Sequence, residues 1–231
     1  MNTPLKTPDS PKKLTTFINP FSYYIIRNSP KASEIYDNFK IHYDGISLSI
    51  ISKLFSLKDS ERISFDDTSL APTVFKTISK DNLSLGIIGS STKTILTVKD
   101  IIEKKYNIKI NSINDGYYSN ADMPTILSNF KSCDVVITSM GTPLQETFLL
   151  KLKDTGWNGV GFTCGGYFDQ LASKNGSSYY PCLVNKLQIR WLYRLYKEPR
   201  RLWRRYLIQY PIGLMYFLYD RVMRHPPFNI E

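Results

Sequence analysis

The sequence predicts an α/β fold, a mostly parallel sheet with helices on both faces, followed by a basic helical segment. Short apolar runs rich in β-branched residues alternate along most of the chain with segments of helical periodicity, an order typical of parallel sheets. From residue 185 onward the chain becomes helical, aromatic and basic instead. We therefore expect one α/β core and a C-terminal appendage of different character.

Six runs have the length and composition of strands. Five of them end in glycine, Asn-Pro or a small polar residue, as strands do before a loop. The runs are TTFINP (15–20), FKIHYDG (39–45), LSLGIIGS (83–90), IKINSI (108–113), CDVVITSMG (133–141) and NGVGFTCGG (158–166).

Helical segments fill the intervals, and 92–105 and 143–153 place apolar residues at the i, i+3, i+4 spacing of an amphipathic helix. In the C-terminal segment, Pro199 and Pro211 are predicted to break the helices.

These patterns divide the chain into a disordered leader (1–14), an α/β core (15–184) and a helical membrane-association appendage (185–231). The leader lacks the apolar stretch of a secretory signal. No segment has the roughly 18 consecutive apolar residues of a spanning helix, so we expect the chain not to cross a membrane.

The composition favours an anionic partner and a reducing compartment. The formal net charge is +10, and eight Lys and Arg residues crowd 186–205 against one acid, Glu198, which suits phospholipid, nucleic acid or a phosphate-bearing substrate. Three cysteines without a C-x-x-C pair and two histidines form neither a disulfide framework nor a metal-ligand set. We expect a cytoplasmic protein with no metal and no cofactor.

Ligands of parallel sheets bind beyond the carboxyl ends of the strands, where helix N-termini present free N–H groups. At one such end, Gly89 and Ser90 open GSSTKT, a candidate phosphate cradle that is neither a Walker loop nor a dinucleotide fingerprint. An ordinary capped helix explains this segment about as well.

The stretch SMGTPLQETF follows another strand. Gly141 permits a turn, Pro143 suits the first helical position, and Gln145 and Glu146 fall in the first turn. For Glu146 alone, a capping or helix-dipole role is the more common explanation. The Gln145 carboxamide both donates and accepts hydrogen bonds, which suits a base or a sugar hydroxyl.

Two more strand ends carry acids. Asp44 and Gly45 follow one strand, and Asp44 is either a helix cap or a general base that accepts a proton from an acceptor hydroxyl. In GGYFDQ, Gly166 allows close backbone approach and Asp169 lies beyond it. Four such motifs at successive strand ends together favour a binding site.

These motifs resemble the WecB/TagA/CpsF glycosyltransferases, family 26. The resemblance covers about 15–205 and rests on motifs in this order: DG (44–45), RISFDD (62–67), GS (89–90), DGYY (115–118), GTPLQE (141–146), GGYFD (165–169) and RWLYRLYKEPRRLWRRY (190–206). The last motif is the most specific of them.

The resemblance implies a Rossmann-like, inverting glycosyltransferase. Such an enzyme moves a sugar from a nucleotide-sugar, usually a UDP-sugar, to a polyprenyl-pyrophosphate-linked acceptor in bacterial surface polysaccharide biosynthesis. Asp44 matches the catalytic aspartate, and no metal is implied.

The same resemblance implies two further groups of site residues, one that binds the donor and one that contacts pyrophosphate or the membrane. The donor site would comprise Asn19, Gly45, Gly89, Ser90, Gly141, Pro143, Gln145, Glu146, Gly166 and Asp169. The pyrophosphate or membrane would be met by Arg194, Arg200, Arg201, Arg204 and Arg205. The enzyme would lie at the inner face of the plasma membrane, and a homo-oligomer stays open.

The sequence departs from the family pattern at several positions. Leu144 replaces a lysine, Phe65 a glycine and Arg190 a glutamate, while Tyr179 and Tyr180 stand in an R-A-P position. These changes leave the reaction class intact but bear on which sugar is transferred and to what.

Other interpretations stay open at this point. A basic nucleic-acid-binding protein could use 186–206 with its aromatics for base stacking. A non-catalytic family member is another alternative. The aromatic segment 207–219 suits a bilayer interface, or else packs against the domain or a second subunit.

Overall fold

The computed structural model describes residues 12–44, 46–54, 62–176, 179–181, 183–184 and 189–225, with backbone only for Ile46 and Arg201. The predicted leader (1–14) lies outside these residues except at its end, where Leu14 begins the first strand. Gly45, a predicted donor-site residue, also lies outside them.

The sheet has six strands in the order β2-β1-β6-β5-β3-β4, and each recorded strand pairing is parallel. Every predicted run overlaps one strand, although β1 begins one residue before its run and β4 ends one residue after its run. The strands are β1 (Leu14–Ile18), β2 (Phe39–Tyr43), β3 (Leu85–Gly89), β4 (Ile110–Asn114), β5 (Val135–Ser139) and β6 (Val160–Thr163). The prediction of a Rossmann-like α/β sheet is confirmed.

Eight helices accompany the strands in the described part of the chain before residue 189. They are α1 (Pro20–Arg27), α2 (Ala32–Asn38), α3 (Ile46–Leu54), α4 (Ala71–Lys80), α5 (Thr92–Tyr106), α6 (Met123–Phe130), α7 (Leu144–Asp154) and α8 (Tyr167–Ser173).

Apolar side chains pack on both faces of the sheet, as is typical of parallel sheets. One cluster joins the sheet to α1, α2, α6 and α7 and includes Tyr23 and Phe148. The other joins it to α4, α5 and α8 and includes Phe75 and Phe168. Helices therefore cover both faces, as predicted.

The C-terminal segment is helical, and it is broken at Pro199 but not at Pro211. It comprises α9 (Arg190–Lys197), α10 (Pro199–Arg204), a five-residue π-helical turn (Arg205–Gln209) and α11 (Tyr210–Met223). The prediction at Pro199 is confirmed, since α10 begins there. The prediction at Pro211 is wrong: this proline lies in the first turn of α11, where its missing N–H costs little.

Helix α11 packs against α1, and Phe217 of α11 is fully buried in the same cluster as Tyr23. Its opposite side is exposed, with Met215 at 63% and Val222 at 68% of their full accessibility. The described helices include none that is both long enough and apolar enough to cross a bilayer.

Candidate functional site: a cleft at the carboxyl ends of the strands

The carboxyl ends of all six strands open onto one cleft of about 960 Å³. Parallel strands bring their ends to the same edge of the sheet, so residues far apart in sequence meet there. After β1 to β6 in turn, the cleft is lined by Asn19, Asp44, Ser90, Tyr117, Met140 and Cys164, among others. One side of it is formed by Tyr179 and Tyr180 and, from the C-terminal segment, by Arg190, Trp191, Arg194, Arg205, Tyr206 and Tyr210.

Asp44 places a carboxylate in the wall of the cleft. Its backbone N–H donates to Ile18 O at 2.7 Å, which holds the end of β2 beside the end of β1. The Arg62 guanidinium lies 3.5 Å from Asp44 Oδ1, and the Asp44 side chain is 37% exposed. Desolvation in the cleft raises the pKa of Asp44 above its ordinary value, although nearby arginines, Arg62 first among them, act in the opposite direction.

A second acid, Asp66, ties the C-terminal segment to the core. Arg190 Nη1 donates to Asp66 Oδ2 at 2.8 Å, and Arg190 Nη2 donates to Thr68 Oγ1 at 2.7 Å. Burial alone would raise the pKa of the Asp66 carboxyl, but hydrogen bonds from Ser64 and Thr68, with Arg190, outweigh burial and lower it. Asp66 is therefore ionised when Arg190 binds it, and helix α9 begins against this loop.

Gln145 and Glu146 act as one unit in the first turn of α7. Gln145 Oε1 accepts from Gly165 N at 3.1 Å, and its Nε2 donates to Glu146 Oε1 at 3.0 Å. Glu146, with no exposed surface, also accepts from Thr16 at 2.8 Å and from Thr142 at 3.2 Å. Both ends of the Gln145 carboxamide are thus oriented, and Gln145 lines the cleft while Glu146 lies behind it.

Two arginines of the C-terminal segment turn into the cleft without a carboxylate partner among the described residues. A Cβ built on Gly166 would lie 3.6 Å from Arg194 Nη2, so this guanidinium lies beside the end of β6. Arg205 stacks over the Phe21 ring, with its Cζ 4.2 Å from the ring centroid. The Nε atoms of both arginines are buried and lack a hydrogen-bond acceptor within the described part of the chain. Half-buried guanidinium groups with unpartnered Nε atoms of this kind suit an anionic ligand.

The chain matches the model of the glycosyl transferase WecG/TagA/CpsF family over residues 4–226. It belongs to this family. Over 219 residues it is 35% identical to the UDP-Gal:alpha-D-GlcNAc-diphosphoundecaprenol beta-1,4-galactosyltransferase of Shigella boydii, an alignment that covers 91% of this chain and 88% of the relative.

Another relative is more distant. It is the N-acetylglucosaminyldiphosphoundecaprenol N-acetyl-beta-D-mannosaminyltransferase of Bacillus subtilis (strain 168), which is 28% identical over 169 residues. That alignment covers 71% of this chain and 62% of the relative. The protein is accordingly a glycosyltransferase, and the family match does not support the nucleic-acid-binding alternative for 186–206.

The structure of this glycosyltransferase gathers nine of the predicted site residues in the cleft. They are Asn19, Asp44, Ser90, Gly141, Gln145, Gly166, Asp169, Arg194 and Arg205. The Ser90 hydroxyl is buried there and has no partner within the described residues.

Other predicted residues lie behind or outside the cleft. Glu146 holds Gln145, Pro143 precedes α7, and Gly89 packs so close to β5 that a Cβ would lie 2.2 Å from Ser139 O. Arg200 and Arg204 are exposed on the outer side. Nothing is described of the Arg201 side chain.

Sequence reasoning missed several cleft residues of the glycosyltransferase. Arg62 and Asp66 lie within RISFDD, a motif used for the resemblance but given no role, so the signal was present. Tyr117 of DGYY lines the cleft with 82% of its surface exposed. Tyr206 ends the 190–206 motif, which was likewise given no role for this residue, whereas Tyr210 had no local signal, because its placement depends on how the C-terminal helices fold back.

Proposed function

We propose that this enzyme transfers galactose from UDP-galactose to the sugar of a GlcNAc-diphosphate-polyprenol, with inversion at the anomeric carbon. The observation that carries the proposal is the cleft itself, where the Asp44 carboxylate shares the lining with two arginines whose buried Nε atoms lack acceptors among the described residues. The Shigella boydii relative, similar over nearly the whole chain, supports galactose as the sugar and the diphosphate lipid as the acceptor.

In this mechanism Asp44 is the general base. Its carboxylate accepts the proton of the acceptor hydroxyl as the hydroxyl oxygen attacks the anomeric carbon and the bond from that carbon to the UDP oxygen breaks. UDP-galactose carries its sugar in the α configuration, so attack from the opposite side gives a β linkage. That linkage is the one named for the Shigella boydii enzyme.

The leaving UDP carries negative charge, and the acceptor brings a second diphosphate. Arg194 and Arg205 are the cations in the cleft without a carboxylate partner within the described residues, and a guanidinium fork matches phosphate oxygens. The Ser90 hydroxyl and the oriented Gln145 carboxamide supply further hydrogen bonds to the donor.

We also propose that the enzyme is cytoplasmic and peripheral, at the inner face of the plasma membrane. The outer side of the C-terminal helices exposes Trp203, Leu207 and Met215 beside Arg200 and Arg204. A basic helical surface with exposed apolar side chains binds anionic interfaces. This orientation would bring the cleft to an acceptor that stays anchored by its lipid.

The test is transfer by the full chain from UDP-galactose to a short-chain GlcNAc-diphosphate-polyprenol in micelles, with product detected by mass spectrometry. We expect a galactosylated lipid, and a fall in kcat of about 100-fold or more for Asp44→Asn, because a general base contributes 10²–10⁴-fold. Asp37→Asn, a matched change on the exposed side of α2, serves as the control.

Two results would contradict the proposal. Turnover at the wild-type rate by Asp44→Asn would show that Asp44 is not the general base. Transfer from UDP-N-acetylmannosamine but not from UDP-galactose would show that galactose is not the sugar transferred. Parallel reactions with Mg²⁺ and with a chelator show whether the leaving group needs a metal.

A further inference from the structure

A partly buried ion pair joins the first helix of the core, α1, to α11, the last helix among the described residues. Asp220 of α11 is 1% exposed and accepts from Arg27 twice, at 2.6 Å from Nε and 2.9 Å from Nη2. The Tyr23 hydroxyl donates to Asp220 Oδ2 at 2.7 Å. The Arg27 guanidinium also lies over the Tyr216 ring, 4.2 Å from its centroid. A bidentate, partly buried pair is specific in geometry, and removing one partner leaves the other charge unpaired.

The helices also interlock in the two turns of α11 that precede this pair. At Gly213 the two backbones meet, since a Cβ there would lie 1.9 Å from Pro20 O. One turn later the Phe217 ring packs edge-on against Tyr23 and Tyr43, with centroids 5.2 Å and 5.6 Å apart. Contacts at 213, 217 and 220 recur at helical spacing, so they fix both the register and the rotation of α11 on α1.

The same helical run carries one wall of the cleft. Arg205, Tyr206, Tyr210, Pro211 and Leu214 line the cleft, and all lie within the turn and helix that end at the ion pair. Beside them, Asn19, Phe21 and Ser22 line the cleft from the beginning of α1. Rotation or release of α11 would therefore move Arg205 away from its place over Phe21.

We propose that Asp220, with Arg27 and Tyr23, is a positioning residue that holds the C-terminal wall of the cleft closed before any membrane or acceptor is present. None of these three residues lines the cleft. Their effect on the reaction passes through Arg205 and Tyr210, so the kinetic part of the inference rests on the proposed function of the cleft.

The kinetic test compares Asp220→Asn and Arg27→Lys with the wild type in the galactose-transfer assay. If the wall is closed in only a fraction of the molecules, the apparent affinity for substrate falls in proportion to that fraction. Saturating substrate selects the closed state, so kcat changes little. We expect KM to rise about tenfold for Asp220→Asn with kcat within about threefold of wild type. Arg27→Lys keeps the positive charge but loses the bidentate guanidinium contact with Asp220. Its KM should therefore lie between those of the wild type and Asp220→Asn.

The control is Ile102→Ala, a fully buried position of α5 on the other face of the sheet. It should lower the melting temperature while leaving KM unchanged, which separates positioning from general loss of stability. An unchanged KM in Asp220→Asn would overturn the kinetic role and leave the transferase activity itself intact.

Hydrogen exchange of the full chain without lipid tests the closure independently of activity. We expect residues 210–223 of the wild type to be protected like the sheet, and Asp220→Asn to lose protection there but not in β1 to β6. Rapid exchange of 210–223 in the wild type, or unchanged exchange in the variant, would overturn the proposal whether or not galactose is transferred.

Discussion

At the scale of a single residue, the proposed role of Asp44 as general base predicts how the reaction depends on pH. Desolvation raises the pKa of this carboxyl, and a general base works only when deprotonated. Activity is therefore lost as the pH falls through a pKa above the ordinary aspartate value of about 3.9. Since Arg62 lowers this pKa, Arg62→Gln should move the acidic limb of kcat/KM to higher pH.

The measurement is a pH profile of kcat/KM for wild type, Arg62→Gln and Arg62→Lys. The lysine variant keeps a positive charge and should shift the limb less. A limb that stays in place, or moves to lower pH, would show that Asp44 is not the group that titrates.

Glu146 permits a test of how a buried acid supports the site. Its Oε1 accepts from Thr16, Thr142 and Gln145, and its Oε2 is buried without a partner within the described residues. Glu146→Gln retains the accepting oxygen, so donor KM should stay within about threefold of wild type. Glu146→Leu leaves the donors unsatisfied and frees Gln145, so donor KM should rise about tenfold and the protein should lose about 1–3 kcal/mol.

Donor KM and melting temperature, measured for both variants, check this expectation. A Gln variant as impaired as the Leu variant would mean that the negative charge, and not the acceptor oxygen, is required.

The predicted site residues that lie in the cleft are mostly those that directly follow a strand. Asn19, Asp44, Ser90 and Gln145 follow strands, and parallel strands carry their ends to one edge. Glu146 shows the limit: its position in a first turn suggested a cap or a dipole role, yet its carboxylate binds Thr16, 130 residues away. A contact across that separation depends on strand order, which no local pattern encodes.

At the scale of elements, the contact between α1 and α11 predicts an unusual effect of alanine. In an isolated helix, Gly→Ala would stabilise by about 1 kcal/mol. At Gly213 the new methyl would meet a backbone carbonyl, which cannot rotate away as a side chain can. Gly213→Ala should therefore destabilise by about 1–3 kcal/mol, the range for overpacked contacts.

Thermal unfolding checks the sign, with a fall of about 2–4 °C expected per kcal/mol in a chain of this size. Ser33→Ala, at an exposed position of α2, is the control and should not lower the melting temperature. A more stable Gly213→Ala variant would mean that the two helices are not in contact at this turn.

The elements themselves were largely predictable. All six strands followed from apolar runs, and the signal was clearest for β3 and β5, because strands buried on both faces need continuous apolar sequence. The course of the C-terminal helices was not predictable, because Pro211 follows a π-helical turn that joins α10 to α11 without a break. The Asp220–Arg27 pair spans 193 residues and left no sequence signal.

At the scale of the whole molecule, the arginines of the C-terminal segment lie on two different surfaces. Arg194 and Arg205 turn inward to the cleft, whereas Arg200 and Arg204 lie on the outer side with exposed apolar residues. The net charge alone predicts an anionic partner but does not separate a diphosphate in the cleft from a membrane outside it. Only the fold distinguishes these groups, because α11 presents Gly213, Phe217 and Asp220 to the core and its other face to solvent.

That outer face leads to a prediction about membrane binding. Met215 and Val222 are 63% and 68% exposed, so replacing both with aspartate should leave the fold intact. The same change places two negative charges where an anionic bilayer would lie, and it removes apolar surface from the interface. We expect the Met215→Asp/Val222→Asp variant to lose at least about tenfold in partitioning to anionic vesicles, because a single charge near such a surface is worth about 1 kcal/mol and the variant adds two that are repelled.

Co-sedimentation with phosphatidylglycerol vesicles measures the partitioning, and wild-type binding should weaken as salt rises, since screening shortens the reach of the arginines. Leu96→Asp provides a matched control, because Leu96 is a 50% exposed apolar residue on α5, outside the C-terminal segment. The double variant should keep its turnover on a short, micellar acceptor while losing turnover on vesicle-bound acceptor, because its cleft is unchanged. Equal partitioning of the double variant and the Leu96→Asp control would mean that the membrane is met by another surface. The exposed side of α11 would then need a different partner.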